Sequence, residues 1–357
     1  MGGTSLPPDQ TDIIQSRNPE IYDPLTWIPT SFYLGKGSIQ VEARGDVLVG
    51  PTVNTFLLPQ GLNNKIWYKT YFSTYAADSS VGVVSLGGNI THRNALTLPQ
   101  GSNPVVTPTL LAWMFRENLL AGTTLTAQAA NYQPWIRLVE SSVDPFSAVS
   151  NLMPGTLKST AFGGNINLTG DMTLAPSAEG TLELLAAGSI NGISPTGRYR
   201  LASGNSVTTW TGSKINVSDS DPARIPGTAS PFAANTVTGR TLIAQRRTSL
   251  PGGLPIDTLL NESGSTTGVF GSQVRKQLLH GASVLHLNDS NPLRIYGNSG
   301  DVSGLSLFTP KAGRVIAGRD ITDISFYIQN TGASDISLVS AGRDLIPFSE
   351  SSALRST

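Results

Sequence analysis

Short runs of alternating hydrophobic and polar residues recur along most of the chain, and a glycine stands beside nearly every run. Aliphatic residues at every second position mark these runs, as at Ile166 and Leu168, Ile215 and Val217, Leu285 and Leu287, and Ile336 and Leu338. A period of two is typical of a β-strand that buries one face. The pattern therefore predicts many short strands whose aliphatic side chains point into a shared core.

The glycines belong to a repeated phrase: glycine, one or two small polar residues, then an aliphatic residue. Gly300 and Gly318 are 18 residues apart (318 − 300), and Gly318 and Gly342 are 24 apart (342 − 318). A period of 18 to 24 residues fits one coil of a β-solenoid built from two or three strands. The corner positions of this repeat include Gly188, Gly212, Gly300, Gly318, Asp320, Gly342 and Asp344.

Sharp corners would explain the residue types in this phrase. Glycine tolerates a positive φ, and an adjacent Asp or Asn can hydrogen-bond its own backbone and fix the turn. An ordinary β-sandwich with glycine-rich turns is the alternative fold. We favour an all-β fold of the parallel β-helix (solenoid) type, because the corner phrase returns with its neighbours intact.

Two stretches interrupt the repeat. We expect coils in residues 1–90, then an insertion over residues 91–160 that contains a helix near 108–121, and coils again in residues 161–357. Pro108 suits the first turn of this helix, and Gly122 suits its end. Residues 218–262 are rich in Pro, Gly, Ser and Thr, which predicts a long loop excursion.

A second short helix is predicted from Ser272 to His280, with Ser272 as its cap. An aromatic cluster occupies residues 66–75, where a helix and a strand are both compatible with the sequence. This cluster and the 218–262 excursion are the segments in which we expect an adhesive contact.

Composition narrows the classes of function. The 357 residues carry 24 basic and 24 acidic side chains, so no net charge attracts nucleic acid or an anionic membrane. The chain has no cysteine, which excludes disulfides and thiolate metal sites. No apolar run of 18 residues is present, so we expect no transmembrane segment. The first residues lack the features of a signal peptide. If the protein is secreted, we therefore expect this chain to be an internal or trimmed piece of its parent.

Longer phrases carry a resemblance to a known family. They are the Ala-Gly-Arg-Asp-aliphatic corners at 317–321 and 341–345, and the segments 22–25, 56–61, 67–75, 286–292, 294–296 and 300–302. Together they resemble filamentous-haemagglutinin-like exoproteins of Gram-negative bacteria, and specifically an uncharacterised region toward the C-terminal part of some very large members. The resemblance covers nearly the whole chain.

This resemblance implies a right-handed β-helix that is exported by two-partner secretion. The implied partner is an outer-membrane β-barrel transporter, the implied location is the bacterial surface or the medium, and host or bacterial glycans or receptors are candidate ligands. The implied role is adhesion or that of a stalk for a toxic tip. The chain departs from the family pattern because it shows no N-terminal secretion domain with an Asn-Pro-rich signature.

One short motif suggests cell attachment. Arg44-Gly45-Asp46 is a tripeptide that some animal integrins read. It lies inside the corner phrase, so a structural turn explains it as well. Integrin binding would require the tripeptide on a protruding loop.

Candidate chemistry is sparse. His286 has Asp289 nearby, as a Ser-His-Asp triad would need, but no Gly-x-Ser-x-Gly motif accompanies it. Alternation between two leucines would turn His286 outward from a strand. Asp219, Asp221 and Arg224 form the densest charged cluster, which we interpret as a solvated loop. No zinc, phosphate-binding or nucleic-acid motif is recognisable, so we expect no cofactor and no metal.

We therefore expect a non-enzymatic structural or adhesive segment of a surface protein. The alternative is a β-helical polysaccharide-processing enzyme or carbohydrate-binding module. A structural segment predicts aliphatic ladders without a deep polar cleft, whereas the enzyme predicts a groove with three or more convergent acidic and basic side chains. An adhesin predicts an exposed aromatic or loop patch without such convergence.

Overall fold

The computed structural model describes residues 32–50, 52–53, 71–72, 75–93, 152–200, 206–224, 232–233, 280–281, 283–287 and 289–349. The regular structure of this part of the chain is β-strand, apart from one short 3-10 helix at Pro222–Arg224. Its strands are β1 Phe32–Tyr33, β2 Ser38–Ala43, β3 Val47–Val49, β4 Thr52–Val53, β5 Tyr71–Phe72, β6 Ser80–Ser85, β7 Ile90–Arg93, β8 Leu152–Met153, β9 Thr156–Ala161, β10 Ile166–Thr169, β11 Met172–Leu174, β12 Thr181–Ala186, β13 Ile190–Arg200, β14 Ser206–Thr211, β15 Ser213–Val217, β16 Phe232–Ala233, β17 Leu293–Gly297, β18 Val302–Thr309, β19 Gly313–Ala317, β20 Ile321–Ile328, β21 Leu338–Ala341 and β22 Leu345–Ile346. The all-β prediction is confirmed.

Two curled sheets contain most of these strands. The seven-stranded sheet has the order β2-β6-β9-β12-β17-β19-β21, and every pairing in it is parallel. The eleven-stranded sheet follows β3-β7-β10-β13-β18-β15-β11-β8, with β20 on β18 and β22 on β20. The chain passes repeatedly from one sheet to the other, so that neighbours within a sheet come from successive passes. Antiparallel pairing occurs between β13 and β14 and between β5 and β16.

Ladders of aliphatic side chains fill the space that the sheets enclose. In the eleven-stranded sheet, one ladder stacks five fully buried residues in register: Ile90, Ile166, Ile190, Val302 and Ile321. Burial of each such side chain stabilises the fold by about 1.5–3 kcal/mol. The predicted inward alternation at Ile166 and Leu168 and at Ile215 and Val217 is confirmed.

One histidine is buried inside this core. His92 on β7 is 2 % exposed, and its Nε2 lies 2.7 Å from the Ser159 hydroxyl. Burial disfavours the charged imidazolium and lowers the pKa of His92 to about 4. The ring is therefore neutral at physiological pH, where it fills space and forms a hydrogen bond.

Side chains at the corners form a second ladder that connects the layers. Each of them accepts a hydrogen bond from the backbone N–H of the next: Asp46 from Asn89, Asn89 from Asn165, Asn165 from Ser189, Ser189 from Asp301, Asp301 from Asp320, and Asp320 from Asp344. These bonds join neighbouring layers, a role that the sequence did not predict, since a bond to the residue's own backbone was expected. The steps Asn165–Ser189, Asp301–Asp320 and Asp320–Asp344 cover 24, 19 and 24 residues, in agreement with the predicted period.

The corner glycines are needed for close packing between layers. A positive φ was expected at them, but among the described glycines it occurs at Gly37, Gly170 and Gly304. A Cβ at Gly318 would lie 2.7 Å from the carbonyl carbon of Asn298 and closer still to its oxygen. Similar backbone or side-chain contacts under 3.0 Å would arise at the predicted corners Gly188, Gly212, Gly300 and Gly342.

Three other predictions need correction. Residues 285–287 form a turn and not a strand, with Leu287 47 % exposed and His286 buried. Leu338 on β21 and Ile336 just before it are 43 % and 76 % exposed. β21 is the last strand in the described order of its sheet, so no described strand covers its outer side. Strands also reach into the expected insertion, since β7 extends to Arg93 and β8 begins at Leu152.

The predicted helices near 108–121 and at 272–280 lie outside the described residues, except His280. Of the 218–262 excursion, the structure describes residues 218–224 and β16. β16 pairs with β5, which places part of this excursion beside the 66–75 aromatic segment. Within the described ranges, no helix combines the length and apolar character that crossing a membrane requires.

Candidate functional site

A polar cleft of about 800 Å³ lies on the outer face of the seven-stranded sheet. Its floor is formed by β9, β12 and β17, where the aliphatic side chains point inward and the residues between them point outward. Lys158, Glu183 and Arg294 occupy equivalent outward positions, because Glu183 pairs in register with Lys158 on one side and with Arg294 on the other. Three charged side chains therefore form a row across three neighbouring strands.

Glu183 is held at the centre of this row. Its carboxylate is 2.6 Å from Lys158 Nζ and 3.2 Å from an Arg294 guanidinium nitrogen. Partial burial opposes ionisation, but the hydrogen bonds and charges of the two cations outweigh it and lower the pKa of Glu183. Glu183 is therefore ionised at neutral pH, and the two cations keep part of their surface open, since Lys158 is 56 % and Arg294 34 % exposed.

One wall of the cleft is a loop of residues 283–287 and 289–291, which we call the rim loop. Lys311, whose side chain is 1 % exposed, anchors it through an ion pair with Asp289 and donates a hydrogen bond to the Gly180 carbonyl at 3.2 Å. Asp289 also lies 3.1 Å from His286 Nδ1. Desolvation opposes ionisation of Asp289, but the hydrogen bonds from Lys311, the Asn291 backbone and His286, together with the Lys311 charge, outweigh it and lower the pKa of Asp289. These contacts connect the rim loop to two layers of the sheet.

The geometry of the rim loop does not favour a catalytic triad at His286. His286 and Asp289 are paired, as a Ser-His-Asp triad needs. The His286 side chain, however, is 1 % exposed, and its backbone lies in a turn with a φ of 66°. Burial and the Lys311 charge lower the pKa of His286. His286 lines the cleft, but its Nε2 is buried and has no hydrogen-bond partner among the described residues, so no described serine hydroxyl is paired with it as a triad needs.

The cleft lining also contains the acidic pair from the start of the 218–262 excursion. Asp219 is 7 % exposed and lies 3.2 Å from His280 Nε2, and Asp221 lies 3.7 Å from Arg224. The interpretation of this cluster as a solvated loop is therefore wrong for Asp219. Asp221 fixes the local turn by accepting a hydrogen bond from the Ala223 N–H at 2.9 Å.

The cleft was not predicted from the sequence, because its residues come from distant parts of the chain. Arg294 and Glu183 are 111 positions apart, yet they share a hydrogen bond. The available signal was a charged residue flanked by two inward-facing residues in Leu157-Lys158-Ser159, Leu182-Glu183-Leu184 and Leu293-Arg294-Ile295. Alignment of these coils with each other would have placed the three charges side by side.

The cell-attachment tripeptide lies at the corner between β2 and β3. Arg44, Gly45 and Asp46 are exposed, but Asp46 accepts the Asn89 N–H at 2.6 Å and the Gly45 carbonyl accepts the Ser85 hydroxyl at 2.7 Å. These contacts explain the motif as a corner of the fold. Integrin recognition stays a prediction.

Comparison with known proteins gives no further assignment: no family model, no curated protein and no solved structure matches the chain. In the part of the chain that the structure describes, no group of three or more His, Asp or Glu side chains is arranged to hold a metal ion. The chemistry of the cleft is therefore that of ionised, paired side chains that can form hydrogen bonds with a polar ligand.

Proposed function

We propose that this chain is a right-handed parallel β-helical arm of a large secreted bacterial surface protein, with a structural and adhesive role. The strand order supports the β-helical part of this proposal. Along the main path of both sheets, neighbouring strands come from successive passes of the chain and pair in parallel, which is how the coils of a solenoid stack. Crossovers between parallel strands are right-handed in nearly all proteins, which supports the proposed hand.

Such an arm suits a surface protein for a mechanical reason. Strands in a sheet lie about 4.8 Å apart, so the seven-stranded sheet extends over about 29 Å along the stack. Each layer contacts its neighbours through backbone bonds, aliphatic ladders and the corner ladder. The stack thus separates its two ends by a fixed distance, which is what an adhesive arm or stalk needs.

The route to the surface rests on the resemblance to filamentous-haemagglutinin-like exoproteins. On that basis we propose export through an outer-membrane β-barrel transporter and a location on the surface of a Gram-negative cell. The test is to label intact cells with antibodies against this chain, and to repeat the labelling after deletion of the transporter gene. We expect labelling that disappears with the transporter. Detection of the chain in the cytoplasm alone would refute the proposal.

A polysaccharide-processing enzyme is the second candidate, and the cleft is the observation in its favour. A purely structural segment was expected to lack such a cleft, and at least three acidic and basic side chains converge here. The lowered pKa values of Glu183 and Asp289 keep both carboxylates charged, which does not suit a proton donor. Release of reducing ends from plant or bacterial polysaccharides, abolished by Glu183→Gln, would establish this activity.

A further inference from the structure

We propose that the polar cleft over β9, β12 and β17 is a binding site for a neutral oligosaccharide. This inference rests on the proposed adhesive role and names a class of ligand for it, whereas the structural role does not depend on any ligand. The volume of about 800 Å³ lies within the range of small-ligand sites, roughly 300–1,000 Å³. The cleft lies on the outer surface, where a ligand has access.

The charges of the cleft disfavour an acidic ligand. Five carboxylates line it, from Glu179, Glu183, Asp219, Asp221 and Asp289. The lining contains three lysine and arginine side chains, and one of them, Lys311, is buried against Asp289. The lining therefore carries an excess of two negative charges (5 − 3), and Arg224 beside Asp221 offsets part of it; the remaining excess disfavours uronic acids and sulfated sugars.

The existing ion pairs favour a ligand without charge. A charged ligand group would have to displace Lys158 or Arg294 from Glu183. Its own attraction to the freed charge would then be offset by the loss of the existing ion pair. A hydroxyl group can instead donate to the carboxylate and accept from the guanidinium or ammonium while the pair stays intact. Hydrogen bonds that involve ionised groups are also stronger than neutral ones. Vicinal hydroxyls of a sugar ring match this row of alternating charge.

The rim loop supplies an apolar surface beside the charged row. Val284 is 50 % and Leu287 is 47 % exposed, and both line the cleft. The C–H face of a sugar ring can pack against these side chains while its hydroxyls face the floor. Because Lys311 and Asp289 anchor the rim loop, the site is formed before the ligand arrives, which reduces the entropy lost on binding.

The chain provides a matched pair of arginines for the test. Arg314 on β19 pairs in register with Arg294, so it points outward from the same face of the sheet, one strand further along and outside the cleft lining. Arg294→Gln should weaken oligosaccharide binding at least about tenfold, because it removes a charged hydrogen-bond donor. Arg314→Gln should change the affinity less than about twofold. Glu183→Gln gives a second variant of the floor that keeps the side-chain shape.

Isothermal titration calorimetry on the full chain would use gluco-, manno- and galacto-oligosaccharides, with oligogalacturonate and a lysine-rich peptide as charged competitors. Far-UV circular dichroism would confirm that each variant is folded. We expect binding of at least one neutral oligosaccharide and at least about tenfold weaker binding of both charged probes. The proposal is overturned if the folded chain binds no neutral oligosaccharide, if a charged probe binds more tightly, or if Arg294→Gln and Glu183→Gln both retain full affinity. None of these outcomes affects the proposed location at the cell surface.

Discussion

Substitution of Gly318 by alanine tests whether the corner glycines are required by close stacking. The new Cβ would lie within 3.0 Å of two backbone atoms of Asn298, and backbone cannot rotate away as a side chain can. The layers would have to separate by roughly 1 Å, which would stretch the hydrogen bond from Gly318 N–H to the Gly297 carbonyl, now 2.7 Å. Overpacking costs about 1–3 kcal/mol, and a weakened backbone hydrogen bond adds about 1 kcal/mol.

Alanine also stiffens the unfolded chain, which offsets about 0.4–1 kcal/mol of this loss. The net expectation for Gly318→Ala is a loss of about 1–3 kcal/mol in the free energy of unfolding. Gly45 is the matched control, since it occupies an equivalent corner where a Cβ would have no neighbour within 4 Å and where φ is not positive. Gly45→Ala should leave the stability unchanged or raise it by less than about 1 kcal/mol.

Equilibrium urea unfolding, followed by far-UV circular dichroism, measures both variants against the unmodified chain. The midpoint of the same unfolding transition is compared, because a layered protein can unfold in stages. If Gly318→Ala and Gly45→Ala unfold at the same urea concentration, close approach between layers is not the reason for the corner glycines. A loss at both positions would point instead to a general requirement for glycine in the turn.

Three further predictions concern polar groups in the core and between the layers. Burial lowers the pKa of His92 to about 4, so the unfolded chain takes up a proton at this residue at a higher pH than the folded chain does. The free energy of unfolding, measured by urea unfolding, should therefore fall by roughly 3 kcal/mol as the pH is lowered from about 6.5 to 4. His92→Gln should flatten this pH dependence. Asn165→Ala leaves the Ser189 N–H without its acceptor and should lower the free energy of unfolding by about 0.5–2 kcal/mol. Asn165→Asp keeps an acceptor at this position and should therefore cost less. Equal losses in the two variants would contradict the corner ladder. Lys311→Met should lower the free energy of unfolding by about 3 kcal/mol, because it leaves Asp289 without its ion-pair partner. In a double-mutant cycle, adding Asp289→Asn should restore part of this loss. Additive losses would show that the two residues are uncoupled.

Much of the fold could be predicted from the sequence because it rests on local patterns. The alternation at Ile166 and Leu168 and the corner period were both sufficient to indicate short strands in a repeat. The reasons for the corner residues could not be predicted, since the acceptor at Asn165 and the crowding at Gly318 arise from a neighbouring layer. A single turn, considered alone, contains neither contact.

The cleft depended on information of another kind. Alternation placed His286 outward, but a lysine from a later layer, Lys311, holds its loop in a turn and buries the ring. The row of Lys158, Glu183 and Arg294 exists because segments far apart in the chain pair in register. Identification of this row from the sequence would have required the strand order, which the repeat spacing gives only where coils are uninterrupted.

The corner ladder has a consequence for how such a protein can change over generations. Ser189 and Asp301 are separated by 112 residues, yet they meet through one 3.0 Å hydrogen bond just as Asn165 and Ser189 do across 24. The corner bond itself therefore does not depend on the length of chain between its two residues. Segments outside the paired strands can change in length without moving the two corners, whereas β15 and β17, which lie between these corners, have to keep their pairing. The same property makes these corners natural graft points, where an engineer could insert a foreign epitope and leave the supporting stack unaltered.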